Sequence, residues 1–205
     1  AGDFVDFNFV YSLNYDLRNK QYKPDEGFQN IFSQELPIIS ENFEITNSFE
    51  TKKYQKLPSE MVGRLSFKIA AVNTLKDKDA RLSKRLYIPA NKLRGFEPGK
   101  VGPKDSSDDF IGGNYYTAIN LSTTLPQVLP SFQNSDISLF MDAANIWGVD
   151  YDSSLEKNNN IKSSVGVAID LLTPIGPLNF SLSQPITKSS SDITESFRFN
   201  LGTTF

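Results

Sequence analysis

Apolar side chains at every second position recur in run after run of this chain. In the last run Phe197, Phe199, Leu201, Thr203 and Phe205 share one face, and Arg198, Asn200, Gly202 and Thr204 share the other. Ile137, Leu139, Met141, Ala143 and Trp147 alternate with Ser138, Phe140, Asp142 and Ala144. Val165, Val167, Ile169 and Leu171 alternate with Gly166, Ala168 and Asp170, and Met61, Gly63, Leu65, Phe67, Ile69 and Ala71 with Arg64, Ser66 and Lys68. A helix repeats its apolar face every three or four residues, so strict alternation with Val, Ile, Thr and Phe enrichment specifies strands. Nine are predicted: Phe4–Arg18, Phe28–Leu36, Phe43–Tyr54, Met61–Leu75, Tyr115–Leu125, Asp136–Trp147, Ser163–Thr173, Leu178–Pro185 and Ser196–Phe205. Most have the roughly 9–11 residues a tilted strand needs to cross a bilayer.

The polar face decides between a soluble sheet and a membrane one. A β-sandwich puts Lys and Glu on its solvated strand faces. Here only Asp136 and Asp142 are charged between Ile111 and Val149, and only Asp170 between Ser163 and Thr187. Charges gather instead in Lys76–Arg85, Lys100–Asp109, Asp150–Lys162 and Lys188–Glu195, while the polar face is mainly Asn, Ser, Thr and Gly, as suits a barrel lumen. No run approaches the ~18 apolar residues of a transmembrane helix. The mean hydropathy of −0.35 is compatible with a transmembrane barrel, whose lipid-facing and lumen-facing residues average out.

Composition removes most other classes. With no Cys and no His among 205 residues, the chain has no disulfide framework, Cys-based zinc site or Ser-His-Asp triad. A net charge of −3 argues against nucleic acid as a partner. No calcium-loop spacing appears, and no Lys-Ser/Thr follows Gly112-Gly113-Asn114 to make a phosphate cradle; that segment reads as a flexible junction. Asp108-Asp109 and Asp150/Asp152 read as solvated loop carboxylates. No enzyme activity, metal or cofactor is expected.

Connector lengths set sidedness. Pro174-Ile175-Gly176-Pro177 is a tight turn. Placed on the periplasmic side, it makes Asp150–Lys162, Lys188–Glu195 and the 39-residue connector Lys76–Asn114 external, consistent with short periplasmic turns and long outer loops. A connector that long is usually functional. Within it lies Leu93-Arg94-Gly95-Phe96. An arginine on a loop tip can fold into the lumen and pair with an inward carboxylate. Asp142, the one charge from Ser138 to Trp147, is the natural partner, and Asp170 is a second candidate.

These residues together resemble the BamA family of outer-membrane assembly proteins. Leu93-Arg94-Gly95-Phe96 is similar to that family's Val/Ile-Arg-Gly-Phe/Tyr signature in extracellular loop six. Gly112-Gly113-Asn114, Phe140-Met141-Asp142 with Trp147, Pro174-Ile175-Gly176-Pro177-Leu178 with Gln184-Pro185, and Phe197-Arg198-Phe199-Asn200-Leu201-Gly202 match in order. Leu17-Arg18-Asn19 with Pro24 and Gly27 resembles a periplasmic strand-turn motif of the family. The resemblance implies an antiparallel transmembrane barrel of sixteen strands, of which these nine are the C-terminal ones, in the bacterial outer membrane. It further implies upstream POTRA domains and strands that are absent here. Expected partners are that missing N-terminal half, client barrel proteins, accessory lipoproteins and outer-membrane lipid. The implied activity is folding and inserting client barrels through a lateral seam whose one lip is the last strand, with Phe197, Phe199, Leu201, Gly202 and Phe205. The family's second carboxylate partner for the loop arginine aligns with Ser122, leaving Arg94 with Asp142; the last residue is Phe rather than Trp. A TamA-like assembly factor or a two-partner secretion transporter shares these motifs and is the alternative, ahead of a passive porin or a soluble β-sandwich.

Overall fold

The computed structural model describes residues 5–76, 78–126, 135–152, 155, 159–173 and 176–201. They form one sheet of nine strands, β1 Phe7–Asp16, β2 Gly27–Ile39, β3 Glu44–Lys56, β4 Val62–Thr74, β5 Tyr115–Thr124, β6 Ser135–Trp147, β7 Lys162–Thr173, β8 Gly176–Thr187 and β9 Phe197–Leu201. Each pairs antiparallel with its neighbour in sequence. Among the described residues β1 and β9 do not pair, so the sheet is open.

β2 and β8 run further than the alternation suggests, both for one reason. Pro37 and Pro185 look like strand ends because proline donates no ladder hydrogen bond. Each instead sits at a register shift, opposite Phe7/Asn8 in β1 and opposite Ser163/Ser164 in β7. A bulge accommodates the proline, and the strands continue to Ile39 and Thr187. β9 is described from Phe197 to Leu201; Gly202 and Phe205, assigned to the seam from sequence, lie outside the described residues, as do Pro174 and Ile175.

The apolar positions point away from the concave side. Leu65, Ile69, Ile119, Leu121, Leu139, Met141, Leu182, Phe197, Phe199 and Leu201 are exposed, while Ser66, Asn120, Asp142, Asn179 and Ser181 on the alternate positions are buried. This is the inverse of a water-soluble layer and matches a wall facing hydrocarbon. The concave face is more charged than the sequence pattern suggests. Glu50 lies within 4 Å of Lys52 and Lys68 there, and Lys162 and Arg198 are buried.

The core lies between the wall and its own longest connector. Residues 75–114 leave β4 and return to β5, which pair directly. Ile88, Leu93, Phe96 and Val101 of the connector pack on Ala70, Tyr116, Ala118, Ala144 and Ile146 of the wall. The small alanines at three adjacent strands leave the space the connector fills. Burying side chains such as Leu93 and Phe96 contributes roughly 1.5–3 kcal/mol each. The connector's stem is fixed as well: Asn114 receives the Val72 amide at 2.7 Å and donates its own amide to Gly148 at 2.8 Å, and Leu86 exchanges hydrogen bonds with Gly113. The Gly112-Gly113-Asn114 segment, expected to be flexible, is packed, because an added Cβ at Gly113 would lie 2.5 Å from the Trp147 carbonyl oxygen.

Asp150 makes contacts that the sequence does not suggest. It accepts from the Ala80 amide at 2.7 Å, the Arg85 guanidinium at 2.5 Å and the Asn114 side chain at 2.9 Å. Burial opposes its charge, yet these three donors hold its carboxyl below the ordinary carboxylate value. Exposed as the sequence suggests, it also ties its own connector to the long one.

Candidate functional site at the tip of the long connector

The connector descends into the concave face and reaches its deepest point at Lys92–Phe96. Gly95 turns the chain there with φ +89, a left-handed conformation that side chains disfavour. A Cβ at Gly95 would also stand 3.1 Å from the Ser164 Cβ and 3.2 Å from the Ser183 Cβ.

The turn aims Arg94 at β6. Its backbone amide and Nε donate to Asp142 Oδ2 at 3.1 and 2.7 Å, and Nη2 donates to Oδ1 at 2.8 Å. This is the bidentate fork that fits a carboxylate best. Asp142 has no exposed surface. Asn120 on β5 completes its shell with a 2.9 Å bond to Oδ1, and its other amide hydrogen goes to the Lys92 carbonyl at 2.9 Å. Ser164 on β7 donates to the Arg94 carbonyl at 2.5 Å. Strands β5, β6 and β7 therefore all hold this one tip.

The guanidinium also lies on the Phe140 ring, 3.4 Å from its centroid, a cation–π contact. Phe140 can lie there because its cross-strand partner is Gly166. A Cβ at Gly166 would fall 2.5 Å from the Phe140 ring. Sequence reading places Phe140 on the polar face without a role; an aromatic among Ser138, Asp142 and Ala144, opposite a glycine, was the available signal. Ser122 and Asp170, the candidate second contacts, line a cavity of about 320 Å³ beneath the tip together with Arg94. Asp170 accepts from Asn179 at 2.7 Å.

A second ion pair holds the other side of the tip. Lys92, nearly buried, donates to Glu50 Oε1 on β3 at 2.6 Å and to Ser66 Oγ on β4 at 3.0 Å. Charges inside β3 and one lysine beside the arginine carried no spacing that could link them, since they are 42 residues apart. Among the described residues no His, Cys, Asp or Glu cluster could hold a metal ion.

A membrane-facing antiparallel wall whose longest connector is folded back and pinned against its concave face defines the class: part of a transmembrane β-barrel. The chain belongs to the Omp85 superfamily, whose domain matches residues 1–205. It is 32% identical to the outer membrane protein assembly factor BamA of Neisseria meningitidis over 55% of this chain and 17% of that protein. It is 26% identical to a SAM50-like protein of Schizosaccharomyces pombe over 100% of this chain and 46% of that one. The crystal structure of BamA from Haemophilus ducreyi lacking POTRA domains 1–3 superposes with a TM-score of 0.86 at 27% identity, covering 96% of this chain and 42% of that one. The chain thus spans less than half the length of these relatives, and it is a C-terminal portion of a BamA-type barrel, located in the outer membrane.

Proposed function

We propose that the chain forms the C-terminal part of the wall of a machine that folds client barrel proteins and inserts them into the outer membrane. The assembly factors it is similar to support this reading; the observation that carries it within the chain is the loop tip clamped by Arg94 on Asp142. Insertion needs no bond chemistry. It needs a route around the several kcal/mol that each unpaired backbone N–H or C=O costs in lipid. An open strand edge supplies that route, because a client strand can pair on it as it enters. β9 is one lip of such a seam, and among the described residues it pairs with β8 from Leu182↔Phe197 to Leu178↔Leu201. The clamped tip, reaching β3 to β7, holds the wall in shape while that lip works. The rest of the barrel, the POTRA domains upstream, accessory lipoproteins and client proteins are the partners this reading requires.

The test uses the full-length protein reconstituted in lipid vesicles with an unfolded client barrel. Arg94→Ala is expected to slow client assembly while leaving a folded barrel. Assembly at the normal rate removes the loop's role. A disulfide joining the first strand of the complete barrel to β9 is expected to block assembly, and unimpaired assembly in that locked form removes the seam.

A further inference from the structure

The chain leading into β9 is held by the loop more than by the sheet. Phe96 and Thr194 form an antiparallel bridge. Around it the Glu195 amide donates to Gly95 at 3.1 Å, the Glu97 amide to Ile193 at 2.9 Å, and the Ile193 amide to Lys100 at 3.1 Å. β8 meanwhile runs on to Thr187, and beyond the Leu182↔Phe197 pair it gives this segment one backbone bond, from the Ser183 amide to the Ser196 carbonyl at 2.8 Å.

Arg198 carries this attachment into the strand itself. It sits on the concave face of β9 with 7% of its surface exposed. Nη1 donates to the Ala90 carbonyl at 2.7 Å, and Nη2 donates to the Phe96 carbonyl. These two acceptors bracket the Lys92–Phe96 tip. Glu195 receives Nε at 2.9 Å and Nη2 at 2.8 Å, so it balances the charge and aims the fork. Only a guanidinium has enough donors in one plane to reach two carbonyls and a carboxylate together.

We propose that Arg198 is a positioning residue that couples the last strand to the loop tip. β9 can leave its place only when the guanidinium releases the carbonyls of Ala90 and Phe96, so strand and tip shift together. The reading of β9 as a seam lip, on which this inference rests, supplies the use of that movement. The bonds themselves do not depend on it. Because coupling is reciprocal, loosening the tip must also loosen β9.

The experiment takes full-length protein in lipid nanodiscs, with folded barrel selected by its heat-modifiable migration on gels. Spin labels at Glu97 and Phe199 report tip against strand, and labels at Leu139 and Phe199 report strand against wall. Arg198→Met is expected to broaden the Glu97–Phe199 distribution and shift it to longer distance, with Arg198→Lys between Met and the parent. Asp142→Asn, which loosens the tip's clamp and leaves Arg198 and its acceptors in place, is expected to broaden the Leu139–Phe199 distribution. Unchanged distributions in Arg198→Met overturn the coupling. If that variant yields no folded barrel, Arg198→Gln takes its place under the same criterion. Broadened distances with client assembly at the parent rate uphold the coupling and reject the seam.

Discussion

Asp142 is a carboxylate with no exposed surface, and taking such a group out of water costs several kcal/mol before any partner is counted. The three bonds from Arg94 and the one from Asn120 offset that cost. The consequence is asymmetric. Arg94→Met leaves a buried charge with its main partner gone and is expected to lower stability by about 3–5 kcal/mol. The double variant Arg94→Met with Asp142→Leu removes the charge too and is expected to recover most of that loss. Urea unfolding of the full-length protein in lipid vesicles measures both, and equal losses in the two variants reject the desolvation account. Arg94 and Asp142 could be singled out from sequence because each stands out in its own stretch: a basic residue between Leu and Gly, an acid amid the uncharged run from Ser138 to Trp147. Phe140, Gly166 and Lys92 could not. Their roles come from cross-strand register and from how deep the connector reaches, and neither is written in local spacing.

The connectors at one end of the sheet act as a single element. Asn42 donates to the Asp79 carbonyl at 3.2 Å, Ala80 to Asp150, and Glu97 to Ile193, so 40–43, 75–114, 148–161 and 188–196 are tied together. Asp150 makes part of this assembly sensitive to acid. Its folded pKa lies below the unfolded value of about 3.9. The stability it adds is therefore in place above about pH 4 and is lost as pH falls through the folded value. Pepsin nicking within 75–114 is expected to rise below about pH 4, and Asp150→Asn is expected to flatten that rise by weakening the loops at every pH. An identical acid response in Asp150→Asn removes the assignment. At this scale period two located all nine strands. It misjudged the ends of β2 and β8 because a proline at a bulge looks, in sequence, the same as a proline that stops a strand. The packing of the connector was hidden for a different reason: alternation describes the wall and says nothing about what fills its concave side.

From β4 to β9 one distribution organises the wall, mainly apolar residues outward and polar ones inward. A charge on the outward face has no water to meet in a bilayer. Met141→Arg is expected to cost roughly 2–4 kcal/mol, whereas Ser138→Asn, on the inward face of the same strand, is expected to cost little. Folding of the full-length barrel into lipid vesicles, followed by heat-modifiable migration, separates the two. Equal effects reject the orientation of the wall. The low density of charge first read in the polar face holds for β5 to β8 and fails for β3 and β4, where Glu50 gathers Lys52, Lys68 and Lys92. That difference gives the tip unlike anchorages on its two sides.

β4 and β5 are ladder neighbours from Ala71↔Tyr115 to Val62↔Thr124, although the chain travels from 75 to 114 between them. The excursion thus departs and arrives at the same spot, and no hydrogen bond of the palisade depends on its length. Lengthening such a detour raises its closure entropy only logarithmically. Peptide tags or whole small domains spliced among Asp105–Asp109, on an exposed bend of the connector, should leave the staves of the barrel in register.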